Sequence, residues 1–144
     1  ANLYFFGDTG IGKTFLSNCI AKELLDSGHS VIYFTAFQLF DILSKGVFEK
    51  DADAIAAHQN IFDCDLLIID DLGTELSNSF TTSQLFLCVN ERILRRKSTI
   101  ISTNLNLEQI AEIYSERTLS RISSNYSFIK LFGDDIRIKK RLSK

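Results

Sequence analysis

Near its start the chain reads Gly7-Asp8-Thr9-Gly10-Ile11-Gly12-Lys13-Thr14, which fits the pattern G-x-x-x-x-G-K-[S/T]. The flanks supply the context this pattern needs. Leu3-Tyr4-Phe5-Phe6 is an apolar run leading in, and Phe15 to Leu25 is a helical pattern leading out. Between a strand and a helix, glycines let successive backbone N–H groups turn inward on phosphate oxygens, and the helix N-terminus adds its partial positive charge. In such a loop Lys13 reaches the β- and γ-phosphates and the Thr14 hydroxyl ligates Mg²⁺. Gly7 to Phe15 is therefore a candidate nucleoside triphosphate site.

A glycine turn can fit this pattern by accident, so a second feature matters. Leu66-Leu67-Ile68-Ile69-Asp70-Asp71 is a continuous apolar run ending in adjacent carboxylates. It has the form of a buried parallel strand that delivers acids to its C-terminal edge. Two carboxylates there are costly without a cation, and a Mg²⁺-nucleotide brings one.

At 144 residues, 45% of them hydrophobic, the chain is expected to form one domain, residues 1 to 144. A net charge of -2 excludes a global attraction to nucleic acid, so any such contact must be local. Cys19, Cys64 and Cys88 form no C-x-x-C pair and read as core thiols of a reducing compartment. With no membrane-length apolar run and no charged-then-apolar leader, a cytosolic (cytoplasmic) protein is expected. The first strand begins almost at Ala1, from which a fragment lacking an N-terminal segment is expected.

In chain order, residues 14 to 27 form a helix with Leu16, Ile20 and Leu24 on one face and Gly28 at a left-handed C-cap. Val31 to Phe34 reads as a second strand, parallel to the first through the helical crossover. Thr35 to Gly46 and Asp53 to Phe62 read as helices, with Phe37 and Phe40 as core rather than as a base-stacking platform. Lys45 and Lys50 flank the turn between them, either solvated or facing nucleic acid. Gly73 to Ser83 reads as a loop leading into a helix capped near Thr81 to Ser83, with Leu85, Val89 and Ile93 on its core face. That helix ends in Arg95-Arg96-Lys97, read either as favourable helix-terminal charge or as a phosphate-contacting patch.

Thr99-Ile100-Ile101 lies in a fourth strand, Ser98 to Thr103. Asn104 stands at its C-terminal end, the edge where open α/β sheets place functional groups. Asn is also a common turn residue. Beside a nucleotide and two carboxylates, it is a candidate to hold the attacking water or a γ-phosphate oxygen. Leu107 to Ile113 and Ser115 to Ser123 read as short helices, and Arg117 and Arg121 share a face of the second. Salt-bridging with Glu116 or a neighbouring acid is the alternative use of these arginines. Ser127 to Phe132 reads as a fifth strand. The tail from Ile136 to Lys144 carries five basic residues and is either a solvated end or a phosphate-binding arm. His29 and His58 have no metal-ligand spacing.

The motif order resembles the AAA+ branch of P-loop NTPases. The strings Asn2 to Thr14, Leu66 to Glu75, Thr99 to Leu105 and Glu116 to Ile122 are similar to those of bacterial replicative helicase loaders of the DnaC/DnaI type, and to those of transposition helper ATPases of the IstB type. The resemblance implies an α/β three-layer sandwich with a five-stranded parallel sheet in the order 5-1-4-3-2 and no helical lid. It implies ATP and Mg²⁺ as cofactors, and head-to-tail self-association with ATP at the subunit junctions. Lys13 and Thr14 keep the roles given above. Asp70 is implied to hold Mg²⁺ through water. Asp71 falls where most AAA+ proteins carry a water-polarising glutamate, and the shorter side chain implies slow hydrolysis. Asn104 matches the first sensor and Arg121 the arginine finger acting in a neighbouring subunit, with Arg117 as the alternative finger. Arg137 is placed as a second-sensor arginine.

The function implied is that of an ATPase that loads a replicative DNA helicase onto single-stranded DNA. A transposition helper acting on duplex DNA shares every motif. A non-catalytic nucleotide-gated scaffold is a third reading, motivated by Asp71 and by the missing adenine-holding segment.

Overall fold

Five of the apolar runs become strands. In the computed structural model, which describes residues 1–7, 11–73 and 78–131, the order is β1 (Leu3–Gly7), α1 (Ile11–Asp26), β2 (Val31–Thr35), α2 (Ala36–Phe48), α3 (Ala52–Asp63), β3 (Leu66–Leu72), α4 (Ser79–Leu94), β4 (Ser98–Thr103), α5 (Leu107–Ile113), α6 (Glu116–Asn125) and β5 (Ser127–Leu131). All strand pairs are parallel and the sheet order is β2-β3-β4-β1-β5, the order expected above. Phe132 and the basic tail lie outside the described residues.

The sheet divides the core. On one face Leu16, Ile20, Ala21 and Leu24 of α1 pack over Phe5, Leu66, Ile68, Ile100 and Leu131. On the other, Tyr4, Leu67, Ile69, Leu72 and Ile101 meet the inner stripes of α2 to α6, represented by Leu39, Leu43, Ile61, Leu85, Val89, Ile110 and Ile122. Burial of β3 on both faces is why its sequence is continuously apolar rather than alternating. No helix among the described residues is long and apolar enough to cross a membrane.

The helix ends follow local hydrogen bonding. Gly28, at φ +84°, closes α1: its N–H donates to the Leu25 carbonyl and that of His29 to Leu24. The helix α4 starts earlier than the expected cap at Thr81 to Ser83. Asn78 is the N-cap: its side chain accepts from the Thr81 N–H, and its own N–H donates to the Thr81 hydroxyl. Thr81 is thus the third residue of the helix. Phe40 is buried as expected, but Phe37 is 71% exposed. The inner stripe of α2 is Ala36, Leu39, Phe40 and Leu43, and Phe37 lies outside it. Cys64 and Cys88 are core thiols, whereas Cys19 is exposed on α1. Lys45 pairs with Asp41 at the surface.

Gly46 sits inside α2, where helix propensity alone favours alanine by about 1 kcal/mol. A Cβ there would stand 2.5 Å from the His58 ring and 2.6 Å from its Cβ on α3. The contact is close to the α3 backbone, so it cannot relax by rotating a long side chain. Gly46→Ala is therefore expected to destabilise by about 1–2 kcal/mol, against the propensity trend. A urea unfolding midpoint at or above that of the native sequence would show that α2 and α3 can separate at no cost.

Candidate functional site

Gly7 ends β1 at φ +121°, and a Cβ on it would lie 2.1 Å from the Leu131 carbonyl oxygen of β5. Only glycine fits where β1 leaves the sheet for the loop. Asp8, Thr9 and Gly10 lie outside the described residues, as does the Ile11 side chain. The helix α1 already includes Ile11 and Gly12, so Lys13, Thr14 and Phe15 occupy its opening turns. Lys13 is only 5% exposed, and its Nζ donates to the Gly7 carbonyl at 3.3 Å. The ammonium therefore sits at the end of β1 rather than in solvent. Phe15 is exposed.

Asp70 and Asp71 would point to opposite faces of a regular strand. Here the β3–β4 register shifts between Ile69 and Leu72, and Asp71 takes φ +56°. This bulge re-aims the strand end. The Asp70 carboxylate is buried on the α1 side, and Asp71 is exposed. Asp70 Oδ2 accepts from the Thr14 hydroxyl at 3.3 Å and from the Tyr33 phenol, while Oδ1 accepts from the Asp71 N–H at 3.1 Å. Partial desolvation and the charge of Asp70 push the Asp71 carboxyl up from its ordinary range, and Lys13 pulls against them. A carboxylate pair of this kind favours a nearby cation.

The Thr14 and Asp70 oxygens form a hard donor pair suited to Mg²⁺. Among the described residues no group of three or more His, Cys, Asp or Glu could hold a metal by itself. Burial, the bond to Asp70 and the charges of both aspartates raise the Tyr33 phenol well above its ordinary value, so it is a neutral donor at physiological pH.

Asn104 follows β4 directly and is exposed. The adjoining Thr103 fixes this edge: its hydroxyl donates to the Leu72 carbonyl at 2.5 Å and accepts from the Leu105 N–H at 3.0 Å. The ends of β3 and β4, carrying Asp71 and Asn104, are thus tied together. Since β1 pairs with β4 at Phe5 and Ser102, Gly7 and Asn104 leave the sheet at the same edge.

Arg117 and Arg121 lie elsewhere, on α6, which packs on α4 and α5. The structure separates the two. The Arg117 guanidinium stacks 4.1 Å above the Phe86 ring of α4. The Arg121 side chain is exposed and makes no ion pair among the described residues. Salt-bridging to Glu116, the alternative raised above, occurs for neither. Arg137 lies outside the described residues. The Arg95 cluster is used structurally: Arg95 pairs with Asp63 and Glu91, and Lys97 lies 3.7 Å from Asp65.

Tyr33, Phe86 and Thr103 do not stand out in the sequence. Their roles depend on which strands and helices become neighbours. The parity of β2 offered the one available signal, since Tyr33 and Thr35 share a face and Thr35 pairs with Asp70.

Comparison with known proteins bears on what such a site is for. The replicative helicase loader DnaC of Escherichia coli (strain K12) is 25% identical over 135 residues, covering 94% of this chain and 55% of that protein. The insertion sequence IS232 putative ATP-binding protein of Bacillus thuringiensis subsp. berliner is 26% identical over 148 residues, covering 99% of this chain and 58% of that protein. The chain thus spans little more than half the length of these relatives. A crystal structure of the DnaC helicase loader superposes with a TM-score of 0.79 at 23% identity, covering 91% of this chain and 78% of that one, and shares the fold. The family model described as IstB-like ATP binding protein matches residues 1–143. The chain belongs to the IstB-like ATP-binding protein family.

Proposed function

We propose that this domain is the ATP-hydrolysing core of a replicative helicase loader. ATP bridges subunits head to tail, the assembly engages single-stranded DNA, and hydrolysis resets it once the helicase is placed. The observation that carries the ATPase part is the convergence of Lys13, Thr14, Asp70 and Asp71 on one sheet edge beside Asn104. In this reading the loop from Gly7 to Phe15 holds the triphosphate and Lys13 leaves the Gly7 carbonyl for the β- and γ-phosphates. Thr14 and Asp70 hold Mg²⁺, which when bound neutralises phosphate charge. Asp71 orients the attacking water, and Asn104 accompanies it at the γ-phosphate. Arg121 acts on the neighbour's nucleotide, and Arg137 is assigned to the subunit's own.

Resemblance to DnaC supports the loader reading. The second reading, a transposition helper acting on duplex DNA, is supported by the similarity to the IS232 protein. Fluorescence anisotropy with single-stranded and duplex oligonucleotides, at one stated salt concentration and with and without a non-hydrolysable ATP analogue and Mg²⁺, separates them. The loader predicts nucleotide-dependent preference for single strands. Preference for duplex would transfer the assignment to the transposition helper. ATP hydrolysis that is absent under all conditions, with nucleotide still bound, would leave a nucleotide-gated scaffold.

A further inference from the structure

The Asp70 carboxylate is held on both sides, and one of its partners belongs to no recognised motif. The strand β2 lies at the edge of the sheet and pairs with β3, Tyr33 opposite Ile68 and Thr35 opposite Asp70. Tyr33 therefore stands diagonal to Asp70, a span that a phenol is long enough to bridge. The residue is 38% exposed, and its hydroxyl is turned inward to donate to Asp70 Oδ2. Thr14 donates to that same oxygen, and the Asp71 N–H holds Oδ1.

These bonds have different prospects once a cation is present. The Thr14 hydroxyl has a lone pair to offer a metal, so its bond to Asp70 must adjust to the ion. The Asp71 N–H is fixed by the backbone bulge, but a single bond to Oδ1 leaves the carboxylate plane free to turn. Tyr33 approaches from the adjacent strand and donates to no other acceptor among the described residues.

We propose that Tyr33 is a positioning residue of the metal site, fixing the plane of the Asp70 carboxylate so that Oδ2 is presented to Mg²⁺ or its water. This rests on the reading of Thr14 and Asp70 as the metal-holding pair. A phenol that served only to satisfy a buried carboxylate would add stability without altering how Mg²⁺ couples to nucleotide. The two roles therefore give different results.

The test is binding of a fluorescent ATP analogue by the whole chain over a Mg²⁺ titration, with an EDTA reference, for Tyr33→Phe, Asp70→Asn and the native sequence. Circular dichroism establishes that each variant is folded. Tyr33→Phe removes one oxygen and is expected to raise the half-saturating Mg²⁺ concentration about tenfold, the scale found for outer partners of metal ligands. Affinity in EDTA should stay within about twofold. Asp70→Asn is expected to shift the Mg²⁺ dependence further. If Asp70→Asn shifts it and Tyr33→Phe does not, or if Tyr33→Phe weakens binding equally with and without Mg²⁺, the positioning role is wrong. If Asp70→Asn also leaves the Mg²⁺ dependence unchanged, the metal-site reading falls and this inference with it.

Discussion

Arg121→Ala is expected to lower ATP turnover about 10³-fold while leaving nucleotide binding by the individual subunit within about twofold, the pattern of a finger supplied in trans. The structure gives the reason to place the effect at Arg121 rather than one turn earlier. Both residues are exposed, but the Arg117 guanidinium is stacked on the Phe86 ring, whereas Arg121 makes neither a ring contact nor an ion pair among the described residues. A cation committed to an aromatic face is held in place by that contact; one without it can reach a second molecule without first giving the contact up. Arg117→Ala should accordingly cost about tenfold or less, through loss of the stack. Mixing Arg121→Ala subunits with Lys13→Ala subunits gives the sharper measurement. Each is inactive alone, but at hybrid junctions an intact phosphate loop meets an intact arginine, so turnover should return in part. A wild-type rate for Arg121→Ala, or mixtures no more active than their components, would remove the finger from this position.

Arg92→Met is expected to destabilise the domain by about 3 kcal/mol or more, a larger loss than Gly46→Ala brings. Arg92 is fully buried, and each of its five N–H directions has an acceptor. Nε donates to the Thr99 hydroxyl at 2.9 Å. One terminal nitrogen donates to the Ile61 carbonyl at 2.7 Å and the Cys64 thiol at 3.4 Å; the other donates to the carbonyls of Cys64 at 2.9 Å and Ser98 at 2.8 Å. The side chain thus closes the C-terminal end of α3 and the start of β4 from α4. Apolar replacement of a buried ion pair is often tolerated because both charges leave together. That escape is closed here, since three of the acceptors are main-chain carbonyls that stay behind, each costing about 1–3 kcal/mol when left unsatisfied. Arg92→Lys, with three donors and no planar fork, should recover only part of the loss. Urea unfolding checks both, and a midpoint for Arg92→Met equal to that of the native sequence would show that water or side-chain movement takes over the network.

The contrast between these two arginines shows what could be read without coordinates. Arg121 belongs to a short string with a recognisable neighbourhood, so its family resemblance was visible. Arg92 lies in a helix whose polar and apolar residues alternate conventionally, and only the approach of α3 and β4 makes it a core residue. The strands were legible because sheet faces covered by helices demand continuous apolar runs, as in Leu66 to Ile69. The order of the strands came from the family resemblance, since hydrophobic pattern does not encode which run lies beside which. In the site, the spacing of Lys13, Thr14 and the two aspartates announced itself. The bulge that turns Asp71 outward did not, because a register shift is a property of two strands. Phe37 and Cys19 show the same limit from the other direction: their residue types favour burial, but their helices present them to solvent.

The pairing of β1 also sets an order of events during synthesis. Its partners are β4 and β5, with Leu3 opposite both Ile100 and Ser127, so β1 has no strand neighbour until β4, far downstream, has been made. A nascent chain can bring β2 and β3 together early, whereas closing β1 into the sheet requires a loop of roughly a hundred residues, a slow step for any parallel sheet. At synthesis rates of about 5–20 residues per second the segment leading into the phosphate loop waits several seconds for its partners. The sheet edge that carries Gly7 and the proposed nucleotide site is therefore among the last parts of the domain to take shape.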